Sequence, residues 1–197
     1  DCNIDIFAAE EVDTTIFREI PGMLENYAWL VFSPYSPDGS GSIKAQAIVY
    51  RKDKFIPLSF KHFWLSPTPD EMSSGWDEMK FRRGACCAEF KMLRGGRKFF
   101  FMASHFPLGK EARLNSAALM IERKDSYIVL PADRKDGPKG TFNNHGLNED
   151  MDIAPRIDFV YFRGEEIEPL RYVCDDTLYD GLYPSDHCPV YVDFLIH

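Results

Sequence analysis

The chain has 197 residues, 45% hydrophobic and 27% charged, which is ordinary for a globular protein and suits one domain, or one with a small appendage. A formal net charge of −8 disfavours broad, non-specific contact with a phosphate backbone, although a nuclease whose metal and local basic residues offset that charge stays open. Five cysteines, an odd number with no CxxC or Cys/His spacing, give no disulfide framework and no zinc site. In chain order, Ile4 to Ala9 is a short apolar run that reads as a buried strand, with Glu10 and Glu11 at its C-terminal end. Asp13 or Thr14 caps an expected helix carrying Ile16, Phe17, Ile20 and Leu24 on one face, with Pro21 kinking or shortening it. Trp29 to Phe32 reads as a strand, and Ser33 to Ser42, rich in Ser, Pro and Gly, as a loop.

Ala45 to Tyr50 and Phe55 to Leu65 are expected strands around a tight Lys52-Asp53-Lys54 turn, and Ser66 to Arg83 a long polar loop containing Trp76. Ala85 to Met92 and Lys98 to Ser104 form a hairpin across Gly95-Gly96. Phe99-Phe100-Phe101-Met102 is apolar on both faces, as in a central strand. Glu111 to Arg123 is an expected helix, with Leu114, Ala117, Ala118 and Ile121 on one stripe. Tyr127 to Leu130 reads as a short strand, Pro131 to Ala154 as loop, and Arg156 to Phe162, Leu170 to Cys174 and Cys188 to Leu195 as three more strands. Many strands with only two clear helices argue for an α+β fold with two packed sheets, not a doubly wound parallel sheet. No apolar run approaches the roughly 20 residues of a membrane helix. No signal peptide is visible, and the opening Asp1-Cys2-Asn3-Ile4-Asp5 reads as the lead-in to a strand, so the natural start is expected upstream and localisation is unreadable.

The strand ends deliver Glu11, His105, Asp158 and His187, with Asp186 beside the last. Phosphoester hydrolysis uses such a set: a cation on the phosphate oxygens, an activated water, and a histidine base steadied by a carboxylate. Hard Mg2+ takes carboxylate and amide oxygens, usually one or two carboxylates plus water. Each residue also has a plainer reading. Glu11 is a solvated charge, His105 a satisfied core histidine, Asp186 a turn former after Pro184, and Arg156 and Asp158 pair with neighbours on one strand face.

Specific motifs tip the balance. Asp5-Ile6-Phe7-Ala8-Ala9-Glu10-Glu11-Val12, Ala47-Ile48-Val49-Tyr50-Arg51, Ser104-His105-Phe106, Gly137-Pro138-Lys139-Gly140-Thr141-Phe142-Asn143, Arg156-Ile157-Asp158-Phe159 and Ser185-Asp186-His187-Cys188-Pro189-Val190 follow one another along the chain. In that order they resemble the endonuclease/exonuclease/phosphatase superfamily, in a bacterial branch close to Nocturnin-like enzymes. The resemblance covers nearly the whole chain and implies a four-layer α-β-β-α sandwich. It implies that Glu11 binds Mg2+ or Mn2+ and that Asp186 helps bind metal or orients its neighbour. His187 would activate water, Asp158 would fix its tautomer, and His105 would donate to the phosphate. The implied substrate is a phosphoester: nucleic acid, nucleotide, phosphorylated sugar or phosphorylated lipid headgroup. Oligomeric state is not readable.

Three features depart from the family pattern. A first strand bearing an asparagine would precede Asp1. A Gly-Asp-Phe-Asn segment, expected after Leu130, is absent, and Leu130 runs directly into Pro131. Lys44 stands where this branch usually has an acid. The reading is therefore a single domain over residues 1–197 that lacks its first strand and a segment between 130 and 131. A catalytically impaired member that serves in binding is the alternative.

Overall fold

The structure is a computed structural model that describes residues 3–13, 19, 22, 24–32, 45–77, 82–120 and 124–197. The helix expected around Ile16 to Leu24, the loop at 33–42 and Lys44 lie wholly or mostly outside the described residues. The chain divides into two compact units, Asp1–Ile121 and Glu122–His197. It is mostly β-sheet with few helices. Among the described residues no helix is long and apolar enough to cross a membrane.

The first unit holds two antiparallel three-stranded sheets. In one, β1 (Ile6–Val12), β2 (Tyr27–Phe32) and β3 (Ala45–Arg51) take the order β1-β3-β2. The unbroken apolar run of β3 fits its central place, where Ala45 to Tyr50 are all buried. In the other, β4 (Phe55–Trp64), β5 (Gly84–Met92) and β6 (Lys98–Ser104) take the order β4-β5-β6. Phe32, Ile48 and Tyr50 from the first sheet join Phe55, Trp64, Cys86, Ala88, Phe90 and Ala103 from the second in one apolar cluster. Tyr50 and Phe90 bring their ring centres to 5.0 Å, and Phe32 meets Trp64 edge-on at 5.4 Å. The β5–β6 turn needs its glycines, because Gly95 and Gly96 have φ of +83° and +69°.

Two expectations change in this unit. The Phe99 to Met102 run is not central: β6 is an edge strand, so only alternate residues face the core. Phe99 and Phe101 pack against the cluster, while Phe100 stays 69% exposed. The helix α1 spans Lys110–Leu119 and buries Ala112 and Ser116, not the stripe led by Leu114, which is 64% exposed. Its N-terminus explains the choice. The Asp77 carboxylate accepts from Glu111 N at 3.0 Å and Ala112 N at 2.7 Å, turning the Ala112 side inward. A Cβ at Gly109 would stand 2.2 Å from Asp77 Oδ1, so a larger residue there would push the capping carboxylate aside.

The second unit is built on β10 (Ile167–Cys174), which pairs antiparallel with β11 (Val190–Ile196) and parallel with the short β8 (Lys135–Asp136). A smaller ladder joins β7 (Lys124–Asp125) to β9 (Tyr161–Phe162). Leu130, Met151, Tyr172, Cys174 and Cys188 form its core. The strand expected at Tyr127 to Leu130 is instead a single helical turn, α2 (Ser126–Val129). Asp125 caps it by accepting from Tyr127 N at 3.0 Å, and Leu130 N closes it onto Ser126 O at 3.2 Å. Only Tyr161 and Phe162 of the strand expected over Arg156 to Phe162 join a ladder. Arg156 is drawn to Asp125 at 2.5 Å, and Asp158 is engaged elsewhere.

Candidate active site

Five residues carried the chemical expectation, and the structure joins four of them as two pairs, one in each unit. In the second unit, His187 Nδ1 lies 2.8 Å from Asp158 Oδ2 and 3.0 Å from Oδ1. An ionised carboxylate only accepts hydrogen bonds, so Nδ1 carries the proton. The neutral ring then keeps its lone pair on Nε2, as a base requires. His187 is 39% exposed and Asp158 32%, so solvent reaches the pair.

Local stitching puts the pair in place. The segment around Thr141 lies against the segment around His187. Phe142 bridges to His187, and Cys188 N donates to Thr141 O at 2.7 Å. Asn143 N and Asn144 N donate to Asp186 O at 2.9 and 3.1 Å, and Asn143 Nδ2 donates to Ser185 O at 3.0 Å. The Phe142 ring meets the His187 ring edge-on at 5.2 Å. Gly137 admits this course, since its φ is +78° and a Cβ there would stand 1.9 Å from Cys174 O.

Thr141 is the hub. Fully buried, it accepts from Ile157 N and Asp158 N, both at 3.0 Å, and donates its hydroxyl proton to Asp158 Oδ2 at 2.6 Å. It thus fixes both the backbone and the carboxylate of Asp158. Sequence reading placed Thr141 within a motif but gave it no role. No local signal could do so, because its partners lie 16 and 17 residues away.

Asp186 plays a different part from the pair. Its backbone oxygen anchors the Asn143 segment, and its carboxylate accepts from Ser185 Oγ at 3.3 Å. Burial pushes the Cys174 thiol up to about 12 and also raises that of Cys188, so both stay protonated and neither is a nucleophile near neutral pH. A cavity of about 90 Å3 opens beside His187, lined in part by Asp175, Thr177, Tyr179 and Tyr183.

In the first unit, Glu11 Oε1 lies 3.7 Å from His105 Nδ1. Glu11 sits on a β-bulge: between Ala9 and Val12 the pairing with β3 gains one residue on β1, and Glu11 takes φ of +55°. Such bulges re-aim side chains and recur beside active sites. Antiparallel pairing of Ala85 with Ser104 brings the entry to β5 beside the exit from β6. Arg83 Nη1 there reaches His105 Nδ1 at 2.9 Å. Sequence reading treated Arg83 only as the end of a loop. Among the described residues no group of three or more His, Cys, Asp and Glu could hold a metal ion.

No family model and no curated protein matches the chain. Solved structures do. An endonuclease/exonuclease/phosphatase from Bacteroides vulgatus matches with a TM-score of 0.87 and 24% identity, over 98% of this chain and 85% of that one. This chain has the endonuclease/exonuclease/phosphatase fold. An endonuclease/exonuclease/phosphatase family protein from Bacteroides thetaiotaomicron shares that fold at TM-score 0.83 and 26% identity, over 99% of this chain and 84% of its own. A mannosyl-6-phosphatase from Bacteroides thetaiotaomicron VPI-5482 shares it at TM-score 0.80 and 25% identity, over 98% and 86%. The motifs quoted above thus lie in a mostly β-sheet chain with the fold of that superfamily.

Proposed function

We propose that this chain is a divalent-metal-dependent phosphoester hydrolase, with His187 as general base and Asp158 as its orienting carboxylate. The observation that carries the reading is the His187 Nδ1–Asp158 contact at 2.8 Å, in a chain with this fold. In the proposed step His187 Nε2 takes a proton from water as the water oxygen bonds to phosphorus. Asp158 steadies the imidazolium through the Nδ1–H bond. The bond from phosphorus to the leaving oxygen breaks, the leaving oxygen keeps the electron pair and takes a proton from solvent, and His105 donates to a phosphate oxygen as charge gathers there.

Glu11 would hold the ion, Mg2+ or Mn2+. Its chemistry fits, being a hard oxygen donor that is 43% exposed on a bulge. A bound ion would neutralise phosphate charge. Asp186 is proposed as a further oxygen donor or as a brace for its neighbour, and the four-layer α-β-β-α sandwich as the complete architecture. The similarity to a mannosyl-6-phosphatase makes a phosphorylated sugar the leading substrate class, ahead of nucleotides, nucleic acids and lipid headgroups.

The second reading is an impaired member that binds without turnover. It is favoured by the lack, among the described residues, of any three-residue metal-holding group. The test is phosphate release from a hexose 6-phosphate, a nucleoside monophosphate, an oligonucleotide and a phosphorylated lipid headgroup, with Mg2+ or Mn2+ and with EDTA. Metal-dependent release that His187→Ala abolishes supports the proposal. Equal release by both chains overturns it, and no release on any substrate favours the binding reading.

A further inference from the structure

The contact between Arg83 and His105 sets the chemistry of the imidazole. A guanidinium has N–H groups only and no lone pair to offer. At 2.9 Å, Arg83 Nη1 donates and His105 Nδ1 accepts. Neutral His105 therefore carries its proton on Nε2. A rival acceptor stands close by. Glu11 Oε1 lies 3.7 Å from the same Nδ1, outside hydrogen-bond range but less than about 1 Å from it. Were Nδ1 to carry the proton, it would face that carboxylate, and Nε2 would present a lone pair instead of a donor.

We infer that Arg83 is a positioning residue that selects the Nε2–H tautomer of His105 against the alternative in which His105 bonds to Glu11. The inference rests on the proposed function for its purpose. A phosphate oxygen needs a donor from His105, and an ion-binding Glu11 must not be committed to a neighbouring N–H. Arg83 serves both needs through one hydrogen bond. Its place follows from the β5–β6 register, which brings residue 83 and residue 105 to the same end of the hairpin. Glu11 arrives from another sheet of the same unit, on the bulge of β1.

The tautomer is read directly from long-range 1H–15N spectra of the metal-free full chain at about pH 8, with His105→Asn to assign the ring. The wild type is expected to show Nε2–H, and Arg83→Met to shift the ring toward Nδ1–H. Arg83→Lys, which keeps a donor, restores the wild-type pattern at least in part. In hydrolysis, Arg83→Met should lower kcat about 10- to 100-fold with little change in KM, as expected for a lost charge-assisted bond of this type. A wild-type ring protonated on Nδ1, or a ring unchanged in Arg83→Met, overturns the inference. Should Arg83→Met fail to fold by circular dichroism, Arg83→Leu, which also lacks a donor, supplies the same comparison. The spectra need neither metal nor substrate. An inactive wild type with the expected tautomer shift would therefore strike the proposed function and leave the positioning role standing.

Discussion

Replacing Thr141 with valine keeps the shape of the side chain and deletes its hydroxyl. Three hydrogen bonds go at once: two accepted from Ile157 N and Asp158 N at 3.0 Å, and one donated to Asp158 Oδ2 at 2.6 Å. The losses are unequal. Asp158 is a third exposed, so water can replace the donor to its carboxylate at little cost. The two backbone N–H groups face a side chain that is fully buried, and each then lacks an acceptor. At about 1–3 kcal/mol for each unsatisfied buried donor, Thr141→Val should destabilise the chain by roughly 2–6 kcal/mol. That is a large share of the roughly 5–15 kcal/mol of a typical domain. With a urea slope of about 2 kcal/mol/M, the midpoint should fall by about 1–3 M with the slope unchanged. Thr141→Ser keeps the hydroxyl and loses one methyl, so its cost should stay near 1 kcal/mol. Urea unfolding followed by circular dichroism decides the matter. A midpoint for Thr141→Val within about 0.25 M of wild type, or a Thr141→Ser chain as weak as it, would refute the hub.

Other outcomes follow from the same geometry. Asp158→Asn should reduce kcat/KM about 10- to 100-fold without a comparable loss of stability, because it removes the charge that steadies the imidazolium but keeps the side chain's size. Steady-state phosphate release checks this, and an unchanged kcat/KM would sink the base assignment. Glu11→Gln should raise the Mg2+ concentration needed for half-maximal activity while leaving the urea midpoint near that of wild type; an unaltered Mg2+ titration would remove Glu11 as the ion's ligand. Asp77 gives a pH signature. The backbone N–H groups of Ala112 and Glu111 hold its carboxyl below the usual carboxylate range. A depressed folded value adds stability above the unfolded value, about 3.9, and loses it as pH falls through the folded value. The urea midpoint of the wild type should therefore exceed that of Asp77→Asn at pH 7, with the gap closing as pH falls through the lowered folded value. A gap that persists in acid would contradict the capping role.

The strands were legible because alternation and apolar runs are local. Ala45 to Tyr50 announced a strand, and the Gly95-Gly96 turn announced its hairpin. Whether a strand lies at a sheet's centre or edge is not local, and so Phe100 was expected to be buried when it is 69% exposed. The same limit governs α1. An apolar stripe through Leu114 promised one buried face, but a carboxylate 34 and 35 residues upstream ties down the helix start and selects another. Tyr127 to Leu130 is apolar enough for a strand, yet Asp125 can cap, and one hydrogen bond from that side chain begins a helical turn. The Asp158–His187 pair was legible through motif resemblance alone, since 29 residues separate the partners. Thr141 and Arg83 act through contacts that only the folded chain creates.

The bulge in β1 has a bearing on how its acids are presented. A regular strand sends successive side chains to opposite faces, so an exposed Glu10 would put Glu11 inside. The additional residue breaks that parity: Glu10 and Glu11 are both exposed while Val12 remains buried. Two adjacent carboxylates can thus share the solvent side of a strand whose other residues keep their places. Deleting one of the two acids would restore regular alternation and relieve the left-handed backbone at Glu11. A thermal melt should register little harm, while the ion binding proposed for Glu11 should be lost. The segment's irregularity is thus where stability and chemistry ask for different lengths of chain.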